Sequence, residues 1–473
     1  MREDRAALAI ALKDKCVHFV GIGGSGMSGL ARIMLAQGIA VSGSDIKEST
    51  ALTTLENLGA KIFVGHHATN IDGADLLVTS GAINESNPEV KAARENQIQI
   101  ITRAQALALL MADTRSVAVA GTHGKTTTTS MLTVALQSAG LDPSFAIGGM
   151  INSSGVNAHQ GTGDVFVAEA DESDGSFVVY HPLGAIITNI ELDHVDHFTS
   201  LDAVYEVFLE FVSTIRPGGF LIACGDDAGV IELLKRVART DIAIFTYGTG
   251  DCDFQISRIH MEPLKSFARV SKNGKMLPEL TLAIPGEHNI FNAVAALAAG
   301  MALGVDAGDL IEGLSRYSGS RRRFERKGSV AGVDVIDDYG HHPTEITVVL
   351  ETARRYVGSG KIRVLFQPHR YSRTQAFAHE FAQALSLADE VYVLDIYAAS
   401  ELPIPGVSSL LITREMAGEK AHFEPSMVDA VRKVVSASNP GDLVITLGAG
   451  DVSSLAPVIV QELEEKNLEA KNG

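Results

Sequence analysis

A chain of 473 residues, 46% hydrophobic and 20% charged, exceeds what one hydrophobic core organises and predicts two or three domains, with three expected. Its formal charge of −18 directs the surface away from nucleic acid and anionic membranes, so any phosphate it binds has to be met locally, by backbone amides and a few placed cations. Cys16, Cys224 and Cys252 have neither zinc spacing nor an even disulfide framework, and neither the N-terminal MREDRAALAIALKDK nor any later run has signal-peptide or membrane-span character; a cytoplasmic protein without membrane insertion is expected.

In chain order, the strand VHFVG runs into a glycine-rich turn, then into MSGLARIMLAQG, whose apolar spacing predicts a helix closed by Gly38; AVSGSD reads as a second strand. This βαβ opening is followed by the strand-like KIFVG and DLLVTSGAI. A second start falls at Val117, where VAVAG feeds a lysine-containing loop and a helix, with buried-strand candidates at VFVAEAD, LGAIITNIE and GFLIACGD. A third follows the arginine-rich GSRRRFERKG, with VDVIDDYG, IRVLFQPH, EVYVLDIY and DLVITLGAG each preceding a helical pattern. Alternating strands and helices predict three consecutive α/β domains with parallel or mixed sheets, over residues 1–113, 114–325 and 326–473.

Two glycine loops carry the phosphate chemistry. GIGGSG supplies Gly21, Gly23, Gly24, Ser25 and Gly26 in the order G-x-G-x-x-G, and Asp45 follows about 20 residues on, at the end of the next strand. The glycines admit a pyrophosphate to a helix N-terminus and the acid holds a ribose; a nicotinamide dinucleotide and a nucleotide sugar satisfy this equally, and a tight strand-to-helix turn needs glycine anyway. The second loop, GTHGKTTTT, departs from G-x-x-x-x-G-K-[ST], because the first glycine falls at Gly121 and not at Val119. Strand, glycines, Lys125 and the Thr126 hydroxyl are nevertheless in the order needed to wrap phosphate oxygens, neutralise them and bind Mg²⁺. Four consecutive threonines are poor helix formers, which argues against a purely structural purpose.

Acidic and histidine clusters close the following strands. EADESDGSF places Glu169, Asp171, Glu172 and Asp174, and NIELDHVDHF places Asp193, His194, Asp196 and His197, at the carboxyl edge where open α/β sheets bind ligands; hard carboxylates beside a triphosphate suit Mg²⁺. GEHNIFNAVAALAAG opens a small-residue helix with His288, Asn289 and Asn292 in its first turn, more polar groups than capping needs, and these are candidates for base or ribose contacts. SRRRFE sets Arg321, Arg322 and Arg323 before the third domain, from which one arginine can reach a nucleotide when domains close. Finally DDYGHHPTE (Asp337, Asp338, Tyr339, His341, His342) and QPHRYSRT (His369, Arg370, Tyr371, Arg373) end successive strands, taken as adjacent, and describe a polar cleft for a carboxylate or phosphate.

With these motifs in order, the whole chain resembles the bacterial peptidoglycan amide ligases, the Mur ligases. The resemblance implies a Rossmann-like first domain that binds the UDP of a UDP-sugar, a P-loop ATPase-like central domain and a Rossmann-like C-terminal domain that closes over both. Gly21, Gly23, Gly24, Ser25, Gly26, Asp45 and Ser80 would then meet the UDP-sugar. ATP would fall to Gly121, Thr122, His123, Gly124, Lys125, Thr126 and Thr127, with Asn289, Asn292, Arg323 and Asp338. Thr126, Glu169 and His194 are implied ligands of Mg²⁺, or of Mn²⁺ in its place; Lys125, Glu169, His194 and His341 form the implied catalytic group. Tyr339, His341, His369, Arg370 and Arg373 would face the amino acid or the sugar's lactyl group. DDYGHHPTE together with QPHRYSRT points to the branch that joins L-alanine to UDP-N-acetylmuramate through an acyl phosphate. Its rivals are the sister branch that recycles a tripeptide onto the same sugar, an NAD(P)-binding oxidoreductase, and a non-catalytic ATP-dependent interaction protein. Sister ligases carry a carbamylated lysine after the Asp-His pair; none occurs here between His194 and Arg216, and Glu210 is the nearby acidic substitute considered. A monomer or weak homodimer is expected.

Overall fold

The computed structural model describes residues 14–173, 175–193, 197–198, 200–416, 418 and 420–472, and none of their helices is long and apolar enough to cross a membrane. The first sheet contains β1 (Cys16–Val20), β2 (Ala40–Asp45), β3 (Lys61–Val64), β4 (Leu76–Thr79) and β5 (Gln99–Thr102), all parallel in the order β3-β2-β1-β4-β5. The order reverses beside β1, so the turn leaving β1 opens at the crevice where such sheets bind ligands. That turn enters α1 (Ser25–Ala36), whose Met27, Leu30, Ile33 and Met34 face the core.

Eleven strands form the second sheet. They are β6 (Arg115–Ala120), β7 (Ser144–Ala146), β8 (Ala158–His159), β9 (Val165–Glu169), β10 (Gly184–Ile187), β11 (Phe220–Cys224), β12 (Ala243–Gly248), β13 (Phe254–Met261), β14 (Ser266–Lys272), β15 (Lys275–Met276) and β16 (Leu280–Leu282). The order is β15-β14-β13-β12-β11-β10-β6-β9-β7-β8, with β16 also on β14. From β7 to β13 the pairing is parallel; β13 to β16 form an antiparallel wing with a register shift between Ser257 and His260. β6 therefore lies centrally, between β10 and β9. It feeds α2 (Lys125–Ser138), where buried hydroxyls make the threonine run compatible with a helix: Thr129, Ser130 and Thr133 donate to the carbonyls four residues back, at 2.7–2.8 Å. Against α2 packs α3 (Glu287–Ala302), whose alanines and glycine permit close approach.

The third sheet contains β17 (Glu325–Val330), β18 (Val333–Asp338), β19 (Ile362–Phe366), β20 (Glu390–Val393), β21 (Ala421–Phe423) and β22 (Leu443–Leu447), ordered β17-β18-β22-β19-β20-β21, with only β17 antiparallel. The two motif-bearing strand ends are thus not neighbours: β22, the last strand in sequence, inserts between β18 and β19. β18 leads to α4 (Pro343–Val357). One apolar cluster runs continuously through the first two domains, from Val17 to Tyr317, whereas the third domain holds two clusters of its own on the two faces of its sheet.

Candidate active site

The lysine loop leaves the central strand β6 at the carboxyl edge of the sheet. Gly121 (φ +129°) and Gly124 (φ +81°) stand in the left-handed region; a Cβ would lie 2.1 Å from Thr188 Oγ1 in the first case and 2.7 Å from Asn292 Oδ1 in the second, so only glycine fits. Neighbouring β10 braces the loop, since Asn189 accepts from the backbone N–H of Thr122 (3.1 Å, at its carbonyl) and of His123 (2.8 Å, at Oδ1). Lys125 Nζ donates to the carbonyls of Gly121 (2.7 Å) and Thr122 (3.1 Å) and to Glu172 Oε1 (2.9 Å). Burial opposes its charge, but Glu172, Asp171 and Glu169 outweigh burial and hold its pKa above the ordinary lysine value. One helical step on, Thr126 Oγ1 donates to Glu169 Oε1 (3.1 Å), whose other oxygen accepts from Gly148 N (2.7 Å). A fixed carboxylate beside a hydroxyl at a phosphate loop is a donor set that fits a small hard cation. His194, placed with it by resemblance, lies outside the described residues, as do Asp174 and Asp196.

Two cavities meet at this loop. The larger, about 860 Å³, is lined from all three domains: Gly24, Ser25, Gly26, Ser80 and Arg103 from the first; Thr122 to Thr126 and Glu169 from the second; Tyr339, His341 and Arg370 from the third. The smaller, about 540 Å³, is lined by Thr127, His288, Asn289, Asn292, Asp338, Cys224 and Tyr247. His123, Gly124, Arg323 and Glu345 line both. These shared residues set the two cavities side by side at the loop, the smaller having an apolar-walled end beside α3. His288 Nδ1 is buried there without a hydrogen-bond partner, and burial with Arg323 nearby brings its pKa down to about 4, leaving a neutral polar atom for a ligand to meet. Burial pushes the Asp338 carboxyl up to about 6, against Arg323 and the N–H groups of Phe324 and Gly340, both at 2.7 Å.

Other predicted residues shape the site or stand behind it. Gly21 (φ +78°), Gly23 and Asp45 line neither cavity; Asp45 Oδ2 accepts from Gly23 N at 2.8 Å and fixes the turn. Across the cleft the Tyr339 ring lies beneath the guanidinium groups of Arg322 (4.8 Å) and Arg323 (5.2 Å). His341 and His369 approach ring to ring at 5.7 Å despite the strand between β18 and β19, and burial lowers their pKa values to about 4 and about 3. His341 Nδ1 faces the Tyr339 carbonyl at 3.1 Å, an atom that only accepts, so Nδ1 carries the proton and Nε2 keeps its lone pair. Arg373 is committed across the domain boundary: its Nη2 and Nε donate to Asp193 Oδ1 at 2.8 and 3.1 Å, both side chains being buried. Glu210 is exposed on the helix Leu201–Ser213 and lines neither cavity.

Three residues of the site were not singled out from the sequence. Arg103, first residue of the helix after the edge strand β5, lies 3.1 Å (Cδ) from where a Cβ on Gly26 would sit, and no motif marks it in the sequence. Glu191 and Glu345 sit inside quoted motifs, but their partners are in another domain.

Residues 16–115 match the Mur ligase family, catalytic domain; residues 119–300 match the Mur ligase middle domain; residues 322–450 match the Mur ligase, glutamate ligase domain. The chain belongs to the Mur ligase family. Among relatives of this Mur ligase, the UDP-N-acetylmuramate--L-alanine ligase of Saccharopolyspora erythraea is 51% identical over 98% of this chain and 96% of that protein. The crystal structure of the UDP-N-acetylmuramate-alanine ligase of Thermotoga maritima superposes with a TM-score of 0.80 at 32% identity, covering 96% of this chain and all of the other. A murein peptide ligase of Psychrobacter arcticus gives a TM-score of 0.70 at 25% identity, covering 95% of this chain and 99% of that one. A ligase family removes the nicotinamide reading of the Gly21–Gly26 turn.

Proposed function

We propose that this Mur ligase joins L-alanine to the lactyl carboxylate of UDP-N-acetylmuramate, converting ATP to ADP and phosphate, as a cytoplasmic step of peptidoglycan synthesis. The observation that carries the reading is the cleft itself, in which the glycine turn, the lysine loop and the Tyr339–His341–Arg370 edge face one volume from three domains. The relatives named for alanine addition across nearly the whole chain support alanine over a tripeptide. Domain limits near 113 and 325 belong to the same proposal, as do the individual residue roles.

A carboxylate is a poor acyl donor because its leaving group would be oxide. Transfer of the γ-phosphoryl of ATP to it gives an acyl phosphate and ADP; the alanine amine then attacks the acyl carbon and phosphate leaves. In the first step two anions must meet, and the protonated Lys125 and the Arg323 guanidinium, at the join of the two cavities, offset their repulsion. Thr126 and Glu169 would hold Mg²⁺, which supplies further charge neutralisation on the phosphates when bound. Gly24, Ser25, Gly26, Ser80 and Arg103 hold the UDP end, and His288, Asn289 and Asn292 the adenosine. In the second step the amine must be neutral when it attacks; His341, whose Nδ1 carries its proton, offers Nε2 to accept a hydrogen bond from the amine and orient it, while burial, holding its pKa near 4, makes it too weak a base to keep the amine's proton. Closure of the C-terminal domain excludes water while the acyl phosphate exists.

The test is phosphate release by the purified protein with MgATP and UDP-N-acetylmuramate, comparing L-alanine, a tripeptide and no amine, with mass spectrometry of the product. Release that depends on L-alanine and adds one alanyl residue is expected. Release only with the tripeptide would place the chain in the recycling branch, and no release with any amine would overturn the reading.

A further inference from the structure

Glu345 opens α4, and its Oε2 accepts the backbone N–H groups of His341 (2.9 Å) and His342 (3.3 Å), which completes a capping box with the His342 side chain. That local task needs one oxygen. The other oxygen leaves the domain: Oε1 lies 3.2 Å from His123 Nδ1, inside the phosphate loop, and 3.8 Å from Arg323 Nη1. His341 Nδ1 is 3.3 Å from Oε2. Glu191, just past β10, reaches in the opposite direction: it accepts from Thr344 Oγ1 at 2.7 Å and stands 3.6 Å from His123 Nε2 and 3.9 Å from His342 Nδ1. Burial opposes charge on His123, yet the two carboxylates raise its pKa to about 9, while His341, His123 and Arg323 hold Glu345 well below the usual carboxylate range despite burial. An ion pair of low exposure therefore joins the loop that holds the nucleotide to the segment that carries His341.

We propose that Glu345 is a positioning residue that couples the two half-reactions, its Oε2 fixing the backbone of the 341–342 segment while its Oε1 docks that segment on His123 of the phosphate loop. The order of events then follows from the geometry: a nucleotide that settles the loop also settles the segment from which His341 orients the amine. This coupling rests on the roles given above to the loop and to His341.

Two substitutions separate coupling from simple stability. Glu345→Gln keeps a residue that serves in a capping box and removes the charge that meets His123. His123→Gln removes the partner from the other domain and leaves α4 untouched, so it is the variant to read if Glu345→Gln does not fold. Each is expected to lower kcat roughly tenfold to a hundredfold, as a displaced catalytic group does, and to raise KM for L-alanine. KM for ATP should move by less than about threefold in Glu345→Gln, and the double variant should be no worse than the poorer single one. Hydrogen exchange supplies a readout that needs neither sugar nor alanine. A non-hydrolysable ATP analogue should protect residues 121–128 and 339–346 in the unaltered enzyme; in either variant protection should persist at the first stretch and vanish at the second. Losses that multiply independently, wild-type kinetics in both variants, or surviving protection at 339–346 would overturn the proposal. Absence of alanine ligation by the unaltered enzyme would instead overturn the functional reading, with the exchange result still deciding the coupling.

Discussion

The two glycine loops of this ligase use the same backbone device for different ends. The Gly21–Gly26 turn has no lysine; its geometry is held by the Asp45 carboxylate on Gly23 N, and Arg103, from elsewhere in the domain, sets a cation against it. The Gly121–Thr126 loop is dense with charge: Lys125 pairs with Glu172, His123 with Glu345, and Thr126 with Glu169. A diphosphate that is only held needs amides and a counter-charge, whereas a phosphate that is transferred needs charge placed where negative charge gathers in the transition state. On the proposed roles, the density of buried charge distinguishes a loop that would bind from a loop that would react.

Substitutions can break this contrast, and the largest effect belongs to Lys125→Ala, with kcat expected to fall roughly a thousandfold while calorimetric titration with the UDP-sugar is unchanged. Equal loss of both would dissolve the partition between the loops. Glu169→Gln should cost about tenfold to a hundredfold in activity and raise the Mg²⁺ concentration needed for half-maximal rate, a shift read from a metal titration. On the binding side, Arg103→Ala should weaken UDP-sugar affinity about tenfold and leave ATP affinity alone; a fall in kcat without a change in affinity would make the first loop reactive too.

Acid should separate the regions more gently. His288, His341 and His369 bind protons in the unfolded chain below about pH 6.5 but in the fold only near pH 4 to 3. Between those values the unfolded state holds more protons, so stability falls as pH drops, by up to about 1.4 kcal/mol per pH unit for each histidine. In the first domain the buried Glu89 accepts from Ser44 Oγ and Asn70 Nδ2, both at 2.6 Å; these bonds and His18 hold its pKa at about 2 against burial. Its stabilising contribution is full above about pH 4.5 and fades as pH falls through 2. Hydrogen exchange at pH 5 should therefore show the segments around His288, His341 and His369 loosening before those around Glu89.

Much of this site was legible because its residues sit at the ends of apolar strands, where local pattern suffices: Gly121 to Thr126 after β6, Glu169 closing β9, and Asp338 to His341 after β18. The antiparallel wing of β13 to β16 escaped, since FQISRIHM is half exposed and bulged and gives no continuous apolar run. The insertion of β22 between β18 and β19 escaped as well, because strand order is a property of chain packing that no local window records. The pairs Asp193–Arg373 and His123–Glu345 join residues of different domains, and one sequence read alone gives no signal for contacts at that separation.

The apolar cluster shared by the first two domains, set against the separate clusters of the third, has a consequence for how the molecule comes apart. Domains that share one interior melt together, while a domain with its own interior, attached through ion pairs and hydrogen bonds, can melt alone. Calorimetry of the ligand-free protein should resolve two transitions, the C-terminal domain separating from a larger two-domain unit. Saturation with a nucleotide that bridges the boundary should draw the two into one, making the bound substrate a structural member of the fold.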